Sequence, residues 1–159
     1  MRVVGLVVLQ GLLEITGVVG LALVLARVPF SWRRAFLVGA GLFTVIQIAR
    51  HLPLFFGFHT LVGLLALTVY LVRGENVSLA SSFMAAFLSL FVLGLIEFTS
   101  NEAILAMLRI DAQVAAANHE TWALIGMPQG VIMVFLTWVA SKVIKPLRPG
   151  RQNGLSRSK

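Results

Sequence analysis

Apolar runs close to the length of a membrane-spanning helix alternate along the chain with short polar links. Val3 to Ala26 is the first run, ended by Arg27. Spanning hydrocarbon takes about 20 apolar residues as a helix, because lipid offers no partner to a loose backbone amide or carbonyl. The link Val28-Pro29-Phe30-Ser31-Trp32-Arg33-Arg34 leads to a second run over residues 35–51. Pro53 suits a first helical turn and opens a third run over 53–72. Arg73-Gly74-Glu75-Asn76 reads as a turn. A fourth run covers 78–98 and a fifth 122–144. The pattern predicts an all-α polytopic membrane bundle of five transmembrane helices.

Residues 101–120 differ in character. Thr99-Ser100-Asn101-Glu102 has the form of a capping box, which predicts a fresh helix start. Ile104, Leu105 and Leu108 oppose Glu102, Arg109, Asp111 and Gln113, the pattern of a short helix on or near the outer surface or, equally, of a structured loop with no membrane contact. From Pro146 onward the chain is basic and poor in large apolar residues, which predicts a disordered cytoplasmic tail after a transmembrane domain over 1–145.

Composition agrees with a membrane as the solvent. Of the 159 residues 58% are hydrophobic and 12% charged, and the mean hydropathy is +0.94. One soluble domain of this size could not hide so much apolar surface. The first 26 residues exceed a usual signal-peptide core and carry Gln10 and Glu14, so a retained first span is expected.

The net charge of +7 is placed as loops against an anionic leaflet would place it. Six of the thirteen basic residues lie in the last eighteen, and the rest punctuate the apolar runs, so nucleic acid is not an expected partner. With the amino terminus outside and the carboxyl tail inside, ten basic residues fall on the inner side: Arg27, Arg33, Arg34, Arg73, Lys142, Lys145, Arg148, Arg151, Arg157 and Lys159. Three (Arg2, Arg50 and Arg109) fall outside. That asymmetry follows the positive-inside rule and predicts a multi-pass protein of the cell membrane.

Small residues at helical spacing mark contact faces in lipid. They occur as Gly17 and Gly20 in the first span and Gly39 and Gly41 in the second. The fourth span has two rows, Ser78-Ser82-Ala86 and Ser81-Ala85-Ser89. Pro128 removes a hydrogen bond from the fifth span and predicts a kink.

Polar groups inside a span are costly, which makes each a candidate for function. They are Gln10, Glu14, Gln47, Arg50, His59, Glu97 and Gln129. On this topology all lie between the midplane and the outer surface, with Glu97 near the outer end of its span, and together they predict an outward-opening polar pocket. The competing expectation is that they only lock helices together, Glu14 with Arg50 or His59 and Glu97 with Arg50. No zinc-binding His-Glu-x-x-His, nucleophile elbow or phosphate loop is present, and there is no cysteine, so no metal, cofactor or enzymatic activity is expected.

Three segments carry a resemblance: Leu9-Gln10-Gly11-Leu12-Leu13-Glu14, Arg50-His51-Leu52-Pro53-Leu54-Phe55-Phe56-Gly57-Phe58-His59-Thr60 and Gly126-Met127-Pro128-Gln129. They resemble small multi-span membrane proteins of Gram-positive bacteria and the membrane input region of sensor histidine kinases. The resemblance implies sensing through a partner, with Glu14, Arg50, Gly57, His59 and Pro128 as the matching positions. No kinase domain follows Lys145, so the output is expected to pass through a membrane partner such as a kinase or a transporter subunit. A small transporter, or its substrate-binding subunit, and a structural assembly factor are the alternatives.

Overall fold

The computed structural model describes residues 2–50, 57–108 and 119–146. These form five helices: α1 (Arg2–Leu25), α2 (Trp32–Arg50), α3 (Phe58–Gly74), α4 (Leu79–Leu108) and α5 (His119–Val143). Three of them, over Gly5–Leu25, Leu79–Met107 and Ile125–Val143, are long and apolar enough to cross a membrane. They mark an integral, multi-pass membrane protein. Helix α3 is apolar but shorter, and α2 opens with Arg33 and Arg34.

Neighbouring helices alternate in direction. Thr16 lies against Gly39 and Gly11 against Phe43, so α2 runs back along α1. Arg34 at the start of α2 meets Glu75 beyond the end of α3, while Ile46 meets Gly63. Asn101, late in α4, meets Gln129 in the first half of α5. Helices α1 and α5 are parallel as a result, in register from Gln10 beside Gly126 to Gly20 beside Thr137.

That parallel pair is the centre of the bundle, and glycine is what lets the two backbones approach. A Cβ on Gly17 would stand 2.7 Å from the Met133 Cβ, and one on Gly20 would stand 2.7 Å from the Thr137 methyl. Gly126 has the Gln10 amide against its Cα. Thr137 also donates to the Gly17 carbonyl at 2.9 Å across this seam. Of the expected contact glycines in α2, Gly39 packs on Thr16, whereas Gly41 has no neighbour within 4 Å of a Cβ. In α4 the buried members of the two small-residue rows, Ser82, Ala85, Ala86 and Ser89, merge into one stripe, and Ser78 and Ser81 are exposed.

Two turns at one end share a design. Arg27 takes φ 57°, the Val28 amide reaches the Leu23 carbonyl at 3.0 Å, and the Arg27 amide reaches Val24 at 2.9 Å. That is a Schellman ending with arginine where glycine is usual. Asn76 takes φ 54°, and the Val77 amide reaches Leu71 at 3.1 Å. Val28 and Val77 are buried beneath these turns. Beside them Arg34 pairs with Glu75 at 3.2 Å, and the Tyr70 hydroxyl donates to Glu75 at 2.7 Å.

The largest departure from the sequence reading is in α4. The expected break at Thr99 does not occur, and one 30-residue helix runs through it to Leu108. Thr99 donates its hydroxyl back to the Leu95 carbonyl at 2.7 Å, a mid-helix habit, instead of capping a new start. The expected outer helix therefore contributes its first residues to α4. Its remainder over 109–118, and the tail from 147, lie outside the described residues. Helix α5 continues through Pro128. Helix α3 begins at Phe58 behind Gly57, which takes φ 85°. The expected start at Pro53 lies outside the described residues.

Candidate functional site: a polar cavity among four helices

At the end of the bundle opposite the Arg34–Glu75 pair, α1, α2, α4 and α5 enclose a cavity of about 310 Å³. Six of the seven expected polar residues line it: Gln10 and Glu14 from α1, Gln47 and Arg50 from α2, Glu97 from α4 and Gln129 from α5. The apolar part of the wall is Val7, Ile15, Phe43 and Ile46. The seventh residue, His59, does not line it. His59 lies in the first turn of α3, not two turns in, because that helix begins at Phe58.

Each polar side chain is delivered by helix geometry. Gln10 and Glu14 are four residues apart, hence on one face, and Gln10 Nε2 donates to Glu14 Oε1 at 3.0 Å. The bond lies within α1, so it orients the carboxylate without tying α1 to another helix. Gln47 and Arg50 share a face of α2 three residues apart. Gln129 is 4% exposed, and its Nε2 donates to Asn101 Oδ1 at 2.7 Å, joining α5 to α4. Among the described residues the only ion pair is Arg34–Glu75. The expected locks of Glu14 to Arg50 or His59, and of Glu97 to Arg50, are not formed.

Two features escaped the sequence reading. Asn101 lines the cavity, although its place in an apparent capping box put it in a separate outer helix. The available signal was spacing: Asn101 follows Glu97 by four, one face of an unbroken helix. Glu97 itself is not at a helix end. Eleven further helical residues follow it, so it sits in the middle of α4.

Beyond the cavity the bundle is closed. Val18, Val19, Leu23, Leu67 and Leu71 are essentially fully buried and fill the other half with apolar side chains. The buried polar groups of that half are hydroxyls alone (Thr68, Ser82, Ser89 and Thr137), whereas amide and acidic side chains gather at the cavity. Gln47 Oε1 is buried without a hydrogen-bond partner, as is Thr16 Oγ1 one level further in. Among the described residues no group of histidine or acidic side chains has the arrangement of a metal site. Comparison with protein-family models, curated proteins and solved structures returns no match.

Proposed function

We propose that this protein crosses the cell membrane five times, with its amino terminus outside. The cavity then opens outward, binds a small extracellular or lipophilic ligand, and passes the occupied state to a partner protein in the membrane. The observation that carries the ligand-binding part is the convergence of six polar side chains from four helices on one cavity. Such groups are expensive at membrane depth, and here the charged ones, Glu14, Arg50 and Glu97, form no ion pair with one another.

The topology rests on three supports. Helices alternate in direction, so α4 starts at the end where α1 stops. Helices α2 and α3 carry exposed large apolar residues on their outer faces (Phe36, Leu37 and Ile48, and Leu65 and Val69), as lipid contact requires. The ten-to-three division of basic residues gives the orientation. The alternative is three crossings, with α2 and α3 as a hairpin that enters and leaves on one side.

The partner rests on the sequence resemblance to sensor-kinase input regions. The first test is purification of tagged protein from its native membranes in mild detergent, followed by mass spectrometry of bound protein and small molecules. A kinase or transporter subunit at stoichiometric level supports the accessory role. A protein free of partner and ligand, with a Glu14→Gln form unchanged in every response, removes it. An autonomous transporter is the weaker reading, since the packed apolar half offers no polar exit. Flux into vesicles containing this protein alone would restore it.

A further inference from the structure

The helix registers give the cavity a vertical order of charge, and with it the chemistry of a ligand. Glu14 lies beside Gly130, whose Cβ would meet the Glu14 amide nitrogen at 3.4 Å. Gln129 precedes Gly130, so its bond to Asn101 sets Asn101 level with the Leu13–Glu14 turn. Glu97 lies one turn further in along α4, level with the turn from Glu14 to Gly17. Both carboxylates thus stand at the depth of the floor, Glu14 partly buried and Glu97 exposed.

Arg50 is placed differently. Thr16 faces Gly39 and Gly11 faces Phe43, so each step outward on α1 matches one step onward in α2. Arg50, seven residues beyond Phe43, is level with the first turn of α1. Its Cα is therefore ~14 Å outward of Glu14 at 1.5 Å rise per residue. Side chains lean toward the amino end of their helix, which for α2 is inward, so the guanidinium reaches down into the mouth. Arg50 is exposed and has no ion-pair partner among the described residues.

We propose that the cavity takes a small aminocarboxylate zwitterion, its ammonium between Glu14 and Glu97 and its carboxylate at Arg50. A ligand with only a cationic group would pass Arg50 and leave it unpaired. A ligand with only an anionic group would answer Arg50 and then face two carboxylates. A molecule charged at both ends, with a short apolar middle against Ile15, Phe43 and Ile46, meets every wall group with its complement. Gln10, Asn101 and Gln129 supply neutral hydrogen bonds around the ammonium end. This rests on the ligand-binding reading above and adds the ligand's class to it.

The test uses the full chain in lipid nanodiscs, with empty nanodiscs subtracted, and saturation-transfer NMR. The probes share one carbon chain: 5-aminopentanoate, pentylammonium and pentanoate. The expected result is saturable binding of 5-aminopentanoate, with a Kd at least about ten-fold below that of either single-ended probe. Glu14→Gln and Arg50→Gln should each raise that Kd by about ten-fold, and Ser78→Ala, at the far end of the bundle, should not. If Glu14→Gln fails to fold, Glu97→Gln reports on the same floor. Equal binding of a single-ended probe, binding indifferent to the carboxylate and Arg50 variants, or no saturable binding of any probe overturns the assignment. A different small molecule recovered with the native protein would then leave the ligand-binding reading standing, whereas an empty native protein would remove both.

Discussion

Thr137 on α5 donates its hydroxyl to the main-chain carbonyl of Gly17 on α1, 2.9 Å away and fully buried. The bond forms only because Gly17 lacks a side chain, which brings the carbonyl within reach of the facing helix. It joins two helices that are 120 residues apart in the chain. Hydrogen bonds between membrane helices contribute about 0.6 kcal/mol on average, so Thr137→Val should lower stability by about that much. Gly17→Ala should cost more, about 1–3 kcal/mol, because its methyl must displace Met133. Thermal melting of the purified variants in one detergent measures both, and the reverse order would contradict the seam.

The two buried oxygens without partners invite the opposite kind of substitution. Gln47 Oε1 and Thr16 Oγ1 have left water, or headgroup, without a hydrogen bond in exchange. Leaving a buried polar atom unmade costs about 1–3 kcal/mol. Thr16→Val keeps the shape and removes the hydroxyl, so it should be neutral or raise the melting temperature. Gln47→Leu should stabilise by about 1 kcal/mol. A marked loss of stability in either would mean that the atom has a partner in the membrane.

At the other end, Tyr70 and Arg34 both address Glu75, whose side chain is 13% exposed while that of Arg34 is 42% exposed. Exposure discounts the ion pair, so a double-mutant cycle of Arg34→Ala and Glu75→Ala should return a coupling of about 0.5 kcal/mol that shrinks with added salt. The Tyr70 bond is better sheltered, and Tyr70→Phe should cost about 1 kcal/mol with little dependence on salt. Melting curves at two ionic strengths separate the two.

The chain contains no cysteine, so single cysteines report topology without background. With five crossings, Leu52→Cys should react with a membrane-impermeant maleimide added outside intact cells, and Asn76→Cys only after permeabilisation. With α2 and α3 as a hairpin, Leu52→Cys would be shielded from both sides while Asn76→Cys behaved as before. Reaction of Asn76→Cys from outside would invert the whole arrangement.

What the sequence made legible was whatever depends on the bilayer as a solvent. Gln10, Glu14, Gln47, Arg50, Glu97 and Gln129 stood out because a polar group inside an apolar run has a cost that composition alone reveals, and they do gather on one cavity. The paired partners were not legible. Gln129 bonds Asn101 and not another intramembrane group, because the local signal at Thr99–Glu102 suggested a helix start that the continuous packing of α4 overrides. His59 was drawn into the cluster by an assumed helix start at Pro53, and moving the start to Phe58 takes it to the rim of its helix. The parallel seam of α1 and α5 was half visible. Gly17 and Gly20 announced a close contact, but nothing local named Met133 and Thr137 as the other side.

The unbroken course of α4 has a mechanical consequence. Thirty residues make a rod of ~45 Å, against a hydrocarbon core of ~30 Å, so it must lean or stand proud of the bilayer. Glu97 and Asn101 are fixed on its carboxyl-terminal half, and Ser82 and Ala86 on its amino-terminal half, with no joint between them to absorb a displacement. A tilt of about 5° around the midpoint would move each end by about 2 Å in opposite directions. Glu97, near that midpoint, would move by only about 0.5 Å, so a small widening at the acidic floor becomes a shift about four times larger among the basic loops at the far face, delivered by a single helix.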